Sequence, residues 1–228
     1  MIAAELRDRI ASEVLNPHTL LPSERELSEQ HSVSRMTARQ ALSLLESEGI
    51  VYRKPPRGTF VAEPRVMFHI GSFSDEITRI GKHPAAELIW SEVREPNAAV
   101  TEAFAEHGNG PVHALNRLRF ADDEPIALET TYFPAAITPK LLTHPLDGSL
   151  WELLRDTYGI EATRARARIR SIVIDDASCA RLKIRAASAG TLLTRWTYDA
   201  HGQCFEFAHD IYRADRAEFE VDALLPSA

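Results

Sequence analysis

Two helix-start signals separated by a tight turn, and followed at once by a basic hairpin, constrain the first quarter of this chain more than any other feature. Ser23 stands before a helical run with Glu26 three residues on, the spacing of a capping box. Ser34 repeats the arrangement, with Thr37 three residues on, and His31-Ser32-Val33 leaves room only for a turn between the two helices. Upstream, Ala3, Leu6, Ile10 and Val14 fall on one face of a first helix that Asn16-Pro17 stops. Downstream, Ala38, Ala41, Leu42 and Leu45 form a core stripe, and Gly49 occupies the usual place after a helix end. Two short strands, 50–53 and 59–62, are joined by Pro55-Pro56-Arg57-Gly58. Three helices and a hairpin of this kind make a winged helix-turn-helix over residues 1–63.

That arrangement suits double-stranded DNA. A helix fits the major groove, and side chains near its N-terminus reach base edges. Arg35 and Arg39 lie one turn apart, away from the apolar stripe, with Ser34 and Thr37 beside them. Arg25 on the preceding helix is placed to touch backbone. Arg57, Gly58 and Thr59 form the wing tip, where the missing Cβ of Gly58 permits close approach. A solvated helix face would also carry arginines. Between residues 35 and 57, however, five basic residues face only Glu46 and Glu48, in a chain of formal net charge −7. Charge and motif therefore agree on a DNA-binding head carried by an acidic body.

The rest of the chain reads differently. Strand-like runs dominate, at 87–94, 111–120, 126–133, 162–174, 192–198 and 205–212, with single helices at 97–106, 149–159 and 176–183. This is a second, α+β domain with a mainly antiparallel sheet, expected over 71–228 after a linker at 64–70. Cys179 and Cys204 form no C-x-x-C pair, and no metal-ligand spacing, cofactor motif or nucleophile–base pair is visible. No catalytic residue, cofactor or metal is expected. The start is charged within a few residues and no apolar stretch approaches membrane-spanning length, so a soluble, cytoplasmic protein is expected, with neither signal peptide nor membrane partner.

Residues two apart on a strand share a face, so Arg117 and Arg119 point one way, as do Glu206, Ala208, Asp210 and Tyr212. Glu129 lies on the strand expected to pair with the arginines. Ser149 starts a helix, where hydroxyl and amides can hold an anion. Two readings stay open at this level: a site for a phosphate or carboxylate with sugar-type hydroxyls, or a solvated face with routine cross-strand ion pairs. Arg164, Arg166, Arg168 and Arg170 alternate along one strand, read as a solvated outer face before a dimer or ligand role. His69, His113 and His209 are scattered and read as ordinary packing or surface residues.

The segments Leu21-Pro22-Ser23-Glu24-Arg25-Glu26-Leu27, Val33-Ser34-Arg35-Met36-Thr37-Ala38-Arg39-Gln40-Ala41-Leu42 and Arg57-Gly58-Thr59-Phe60-Val61 resemble the GntR family of transcriptional regulators. The resemblance implies DNA contacts at Arg25, Ser34, Arg35, Thr37, Arg39 and Gly58. Residues 116–129, Ser149-Leu150-Trp151-Glu152 and the stretch from Phe205 to Arg216 are similar to the UTRA effector domain of the HutC subfamily. This implies a chorismate lyase-like fold without catalysis, and effector contacts at Ser74, Arg117, Arg119, Glu129, Ser149, Glu206 and Tyr212, with Trp151 standing where Tyr is common. The expected protein is a ligand-responsive repressor, released as a homodimer from a palindromic operator by a small anionic metabolite such as an amino-sugar phosphate. Alternatives are an apolar or aromatic acid as effector, or an enzyme that uses the second domain as a lyase.

Overall fold

The computed structural model describes residues 1–222; residues 223–228, expected as the end of the second domain, lie outside the described residues. The chain divides into two compact units, Met1–Arg65 and a second beginning at Val66.

The first unit runs α1 (Ile2–Ala11), α2 (Glu24–Gln30), α3 (Arg35–Ser47), β1 (Val51–Lys54) and β2 (Gly58–Val61). Its helix starts are set by side chains. The Ser23 hydroxyl accepts from the Glu26 backbone N–H while the Glu26 carboxylate accepts from the Ser23 N–H, so the capping box closes in both directions. Ser34 accepts from the Thr37 N–H in the same way. Past the end of α3, Gly49 takes a φ of 72°, the left-handed conformation that turns the chain toward β1. α3 supplies the centre of the core: Ala38, Leu42 and Leu45 pack with Ile2 and Leu6 of α1, Leu27 of α2, and Val51 and Val61 of the hairpin. The first helix is shorter than its apolar spacing suggests. It ends at Ala11, Glu13 takes a φ of 58° that breaks the helical path, and Val14 is exposed.

The second unit contains β3 (Val66–Phe68), α4 (Phe73–Arg79), β4 (Pro84–Arg94), α5 (Ala98–Ala103), β5 (Val112–Ala121), β6 (Glu124–Pro134), α6 (Leu150–Tyr158), β7 (Arg164–Val173), α7 (Asp176–Arg181), β8 (Ala189–Tyr198), β9 (Cys204–Arg213) and β10 (Ala217–Phe219). Six strands form one antiparallel sheet in the order β4-β5-β6-β9-β8-β7. The architecture is the expected α+β one. Within 64–70, expected as a linker, Val66–Phe68 instead pairs in parallel with β10, because Val66 and Phe68 have an apolar cluster to enter.

Helices cover both faces of this sheet. On one face, Phe68, Phe73 and Ile77 pack on Ala127, Leu193 and Tyr212, and α6 brings Leu150 and Leu154 onto Leu115 and Phe133. On the other, α5 packs Val100 on Val112 and Phe207, and α7 packs Cys179 near Leu118 and Leu128. The central strands are thereby closed off from water, and any charge on them must find partners inside.

Candidate DNA-binding face and effector site

α3 presents Arg35 and Arg39 outward, opposite the buried Ala38, Leu42 and Leu45. Arg39 is engaged within the unit: its Nε donates to both Glu24 carboxylate oxygens at 3.1 and 3.0 Å. Arg53 reaches back from β1 to Ser43 Oγ at 2.9 Å and to Glu46 at 3.2 Å, while Glu48 is held by Arg7. The two carboxylates between residues 35 and 57 are thus each engaged by a guanidinium, and Arg35, Lys54 and Arg57 stand exposed on the recognition helix and wing. Met1–Arg65 carries nine basic and nine acidic residues, so the exposed cations of α3 and the hairpin stand out by placement rather than by net charge. Arg25 sits 3.9 Å from Glu29, and the Ser34 and Thr37 hydroxyls bond each other at 2.9 Å. Thr59 pairs with Arg53 across the hairpin.

Gly58 has a role that spacing alone does not reveal. Its φ is +119°, which L residues rarely adopt, and a Cβ there would meet Leu20 Cδ1 at 2.8 Å. Leu20 can move aside; the backbone cannot. Gly58→Ala is therefore expected to cost about 1–3 kcal/mol of stability through strain at the wing tip. Urea unfolding of the variant measures this, and an unchanged midpoint would refute it.

In the second unit, six of the charged side chains on the central strands converge on one face of the sheet. Arg117 of β5 is in register with Glu129 of β6, which is in register with Asp210 of β9. Arg119, Arg195 on β8 and Glu206 on β9 complete the set, and all six are buried. Arg117 donates from Nε (2.8 Å) and Nη2 to Glu129 Oε2, and from Nη1 to the carbonyls of Leu146 (3.1 Å) and Gly148 (2.8 Å). Arg119 donates to Glu129 (3.3 and 3.2 Å) and to Ser74 Oγ of α4 (3.0 Å), its guanidinium lying 4.3 Å over the Phe73 ring. Arg195 donates to the Gly71 carbonyl (3.0 Å) and to Glu206 (3.3 Å). Glu206 also accepts from Trp151 Nε1 of α6 (3.1 Å) and from the Thr197 hydroxyl. Tyr212, tilted against Phe68 and edge-on to Phe219, closes one end.

These contacts set the charge states. Burial works against ionised Glu129, yet Arg117, Arg119 and Arg195 hold its carboxyl well below the usual range. Burial brings Arg117 down to about 10, still cationic at neutral pH, with Glu129 opposing the shift. Arg195 is raised despite burial, by Glu206 and Asp210. Among the described residues, two guanidinium N–H groups of this cluster find no hydrogen-bond partner, Nε of Arg119 and Nε of Arg195. Such donors suit an anionic group.

Of the residues expected around an effector, the structure brings together Ser74, Arg117, Arg119, Glu129, Trp151, Glu206 and Tyr212. Ser149 is near, but its hydroxyl caps α6 by accepting from the Glu152 N–H. The expected cradle of Arg117, Arg119 and Ser149 is therefore not an open one, since Arg117 is already engaged by Glu129 and two carbonyls. Arg195 was not expected. Its signal was its phase: it holds the inward position between Leu193 and Thr197, both buried.

The arginines of β7 lie on an edge strand and are exposed; Arg164 stacks on Tyr198 at 3.9 Å and Arg166 on Trp196 at 4.2 Å. His69 pairs with Glu76 and Glu220, His209 bonds Thr194, and His113 is buried. Among the described residues no helix is long and apolar enough to cross a membrane.

Residues 1–61 match the bacterial regulatory proteins of the gntR family, and residues 79–218 match the UTRA domain. The chain is 31% identical over 221 residues to the HTH-type transcriptional repressor NagR of Bacillus subtilis, covering 96% of this chain and 91% of that protein. The chain belongs to the GntR family. This GntR-family protein is also 31% identical over 205 residues to the histidine utilization repressor of Klebsiella aerogenes, covering 85% and 81% of the two chains. The crystal structure of PhnF from Mycobacterium smegmatis superimposes with a TM-score of 0.70 at 29% identity, over 99% of this chain and all of that one. With its UTRA domain, the GntR-family chain is of the HutC type: a DNA-binding transcriptional regulator that responds to a ligand. A family of regulators leaves no support for the lyase alternative.

Proposed function

We propose that this protein is a cytoplasmic repressor that binds a palindromic operator as a homodimer and is released by a small anionic metabolite such as an amino-sugar phosphate. Arg25, Ser34, Arg35, Thr37, Arg39, Arg57, Gly58 and Thr59 make the DNA contacts. Ser74, Arg119, Glu129, Trp151, Arg195, Glu206 and Tyr212 surround the effector, with Arg117 and Ser149 holding their positions. The names of the two relatives given above, both repressors, support the sign of regulation. The observation that carries the effector reading is the buried pair of unpartnered guanidinium donors, Arg119 Nε and Arg195 Nε, beside carboxylates able to grip hydroxyls. The effector can loosen DNA binding only by as much as its affinity differs between the DNA-competent and released arrangements.

The test is a DNA-shift titration with a sugar phosphate and its unphosphorylated parent. The phosphate is expected to weaken operator binding and the parent to have no effect at the same concentration. Arg119→Gln, which removes the charge and keeps most of the side chain, is expected to blunt the response by about tenfold or more, the worth of a charge-assisted hydrogen bond. An equal response to the neutral sugar would remove the anionic effector.

A further inference from the structure

Among the described residues, Asp210 is the one carboxylate of the buried cluster whose oxygens both lack hydrogen-bond partners. It is 1% exposed. Arg195 Nη1 lies 3.7 Å from Oδ2, which is an ion pair but too long for a hydrogen bond. That same nitrogen donates to the Gly71 carbonyl, and Arg195 Nη2 is turned to Glu206. Glu129 has Arg117 and Arg119; Glu206 has Arg195, Trp151 and Thr197. Asp210 has charge nearby and no donor. Ionising a buried carboxyl in that condition is costly, and a donor supplied from outside the protein would offset that cost.

We propose that Asp210 determines effector specificity by accepting N–H groups from a primary ammonium, so that the site selects molecules carrying both an anionic group and a free amine. This rests on the anionic-effector reading above. The placement supports it. Asp210 lies two strands from Arg117 and Arg119, about 10 Å of backbone spacing, and one side-chain step along β9 from Tyr212. An anion at Arg119 and an amine at Asp210 would thus stand at opposite ends of one small molecule. An ammonium offers three donors, and a carboxylate offers acceptors on both oxygens. An analogue whose nitrogen is acylated or replaced by hydroxyl brings no positive charge to Asp210.

Binding of an amine also has a proton signature. The charged and titratable groups around Asp210 are Arg195 on β8, Glu129 on β6, Arg119 on β5, and Glu206 and Tyr212 on β9. Burial pushes the Asp210 carboxyl up to about 8; Arg195 pulls it down, and Glu129 and Glu206 add to the rise. Below that value Asp210 carries a proton, and engagement of an ammonium favours the carboxylate. A proton is then released on binding.

The experiment is isothermal titration of the full chain at pH 6, where a primary amine is cationic, in two buffers of different ionisation enthalpy. The probes are glucosamine 6-phosphate, N-acetylglucosamine 6-phosphate and glucose 6-phosphate. The amine is expected to bind roughly 10- to 100-fold more tightly than the other two, the usual worth of hydrogen bonds to a charged group, and to release about one proton more than they do, the phosphate common to all three titrating near pH 6. Asp210→Asn is expected to erase both the preference and the proton release. The proton count in the native protein tests the idea even if that variant fails to fold. Equal binding of the three probes, or no excess proton released with the amine over the other two, overturns the role of Asp210 and leaves the anionic effector standing. Binding of none of them overturns both readings.

Discussion

Arg117→Ala is expected to destabilise the protein by about 3–5 kcal/mol, the usual cost of removing one partner from a buried ion pair. The guanidinium is 1% exposed and donates to Glu129 and to the carbonyls of Leu146 and Gly148. Its loss leaves a buried carboxylate with Arg119 as its remaining close cation, two carbonyls without their donors, and a cavity where the side chain stood. In a chain of this size each kcal/mol moves the melting temperature by roughly 2–4 °C, so a drop of about 6–20 °C is expected. Removing both charges tests the cause. Arg117→Met combined with Glu129→Leu is expected to lose less than the sum of the two single changes, because each single change strands one charge of the pair, whereas the double change strands only Arg119, which loses its contact with Glu129. A single-variant loss below about 1 kcal/mol would place Arg117 among ordinary surface pairs and refute the buried-pair account. The same reasoning makes Arg119 the better probe of effector binding: it is linked to Glu129 and Ser74 but retains an unpartnered Nε.

The DNA-binding head was legible because its determinants are local. Ser23 with Glu26, Ser34 with Thr37, and Gly49 each act within one turn of the backbone they organise, so their spacing carries the information. The long strands of the second unit were legible from alternation for the same reason. β3 and β10 were not. Each is three residues long, and they pair with each other across about 150 positions of sequence, so neither carries a periodic signal of its own. α4, between β3 and β4, is seven residues long and went unseen for want of length, although Ser72 caps it. The arginines Arg117 and Arg119 and their partner Glu129 could be placed by pairing strands. Arg195 carries only the signal of its phase, between Leu193 and Thr197, and a single arginine on a strand reads as outward-facing until the opposite face is known to be covered. At Ser149 the structure shows the cap: the hydroxyl oxygen accepts from the Glu152 N–H, and its own O–H stays available as a donor.

Arg35→Ala is expected to weaken operator binding more than any other single change in the head. Arg35 is the first residue of α3 and is exposed, at the end of a helix that a major groove admits. A good base contact is worth about 1–3 kcal/mol, and a symmetric dimer would lose it in both half-sites, about 2–6 kcal/mol in all. That corresponds to a fall of roughly 30-fold or more in affinity. Arg39 is expected to matter less in proportion, because it must leave Glu24 to reach a base, an exchange that costs up to about 1 kcal/mol for an exposed pair. Salt titration separates base contact from phosphate contact. If Arg35 reads a base, the variant loses affinity for the operator while its salt slope is nearly unchanged. If it only neutralises phosphate, the slope falls by about one unit per head and affinity for unrelated DNA falls in step. Circular dichroism establishes that the variant is folded, as expected for an exposed side chain outside the apolar core of Ala38, Leu42 and Leu45. A folded variant with native operator affinity would move base recognition away from the start of α3, and equal losses on operator and unrelated DNA would assign Arg35 to the backbone.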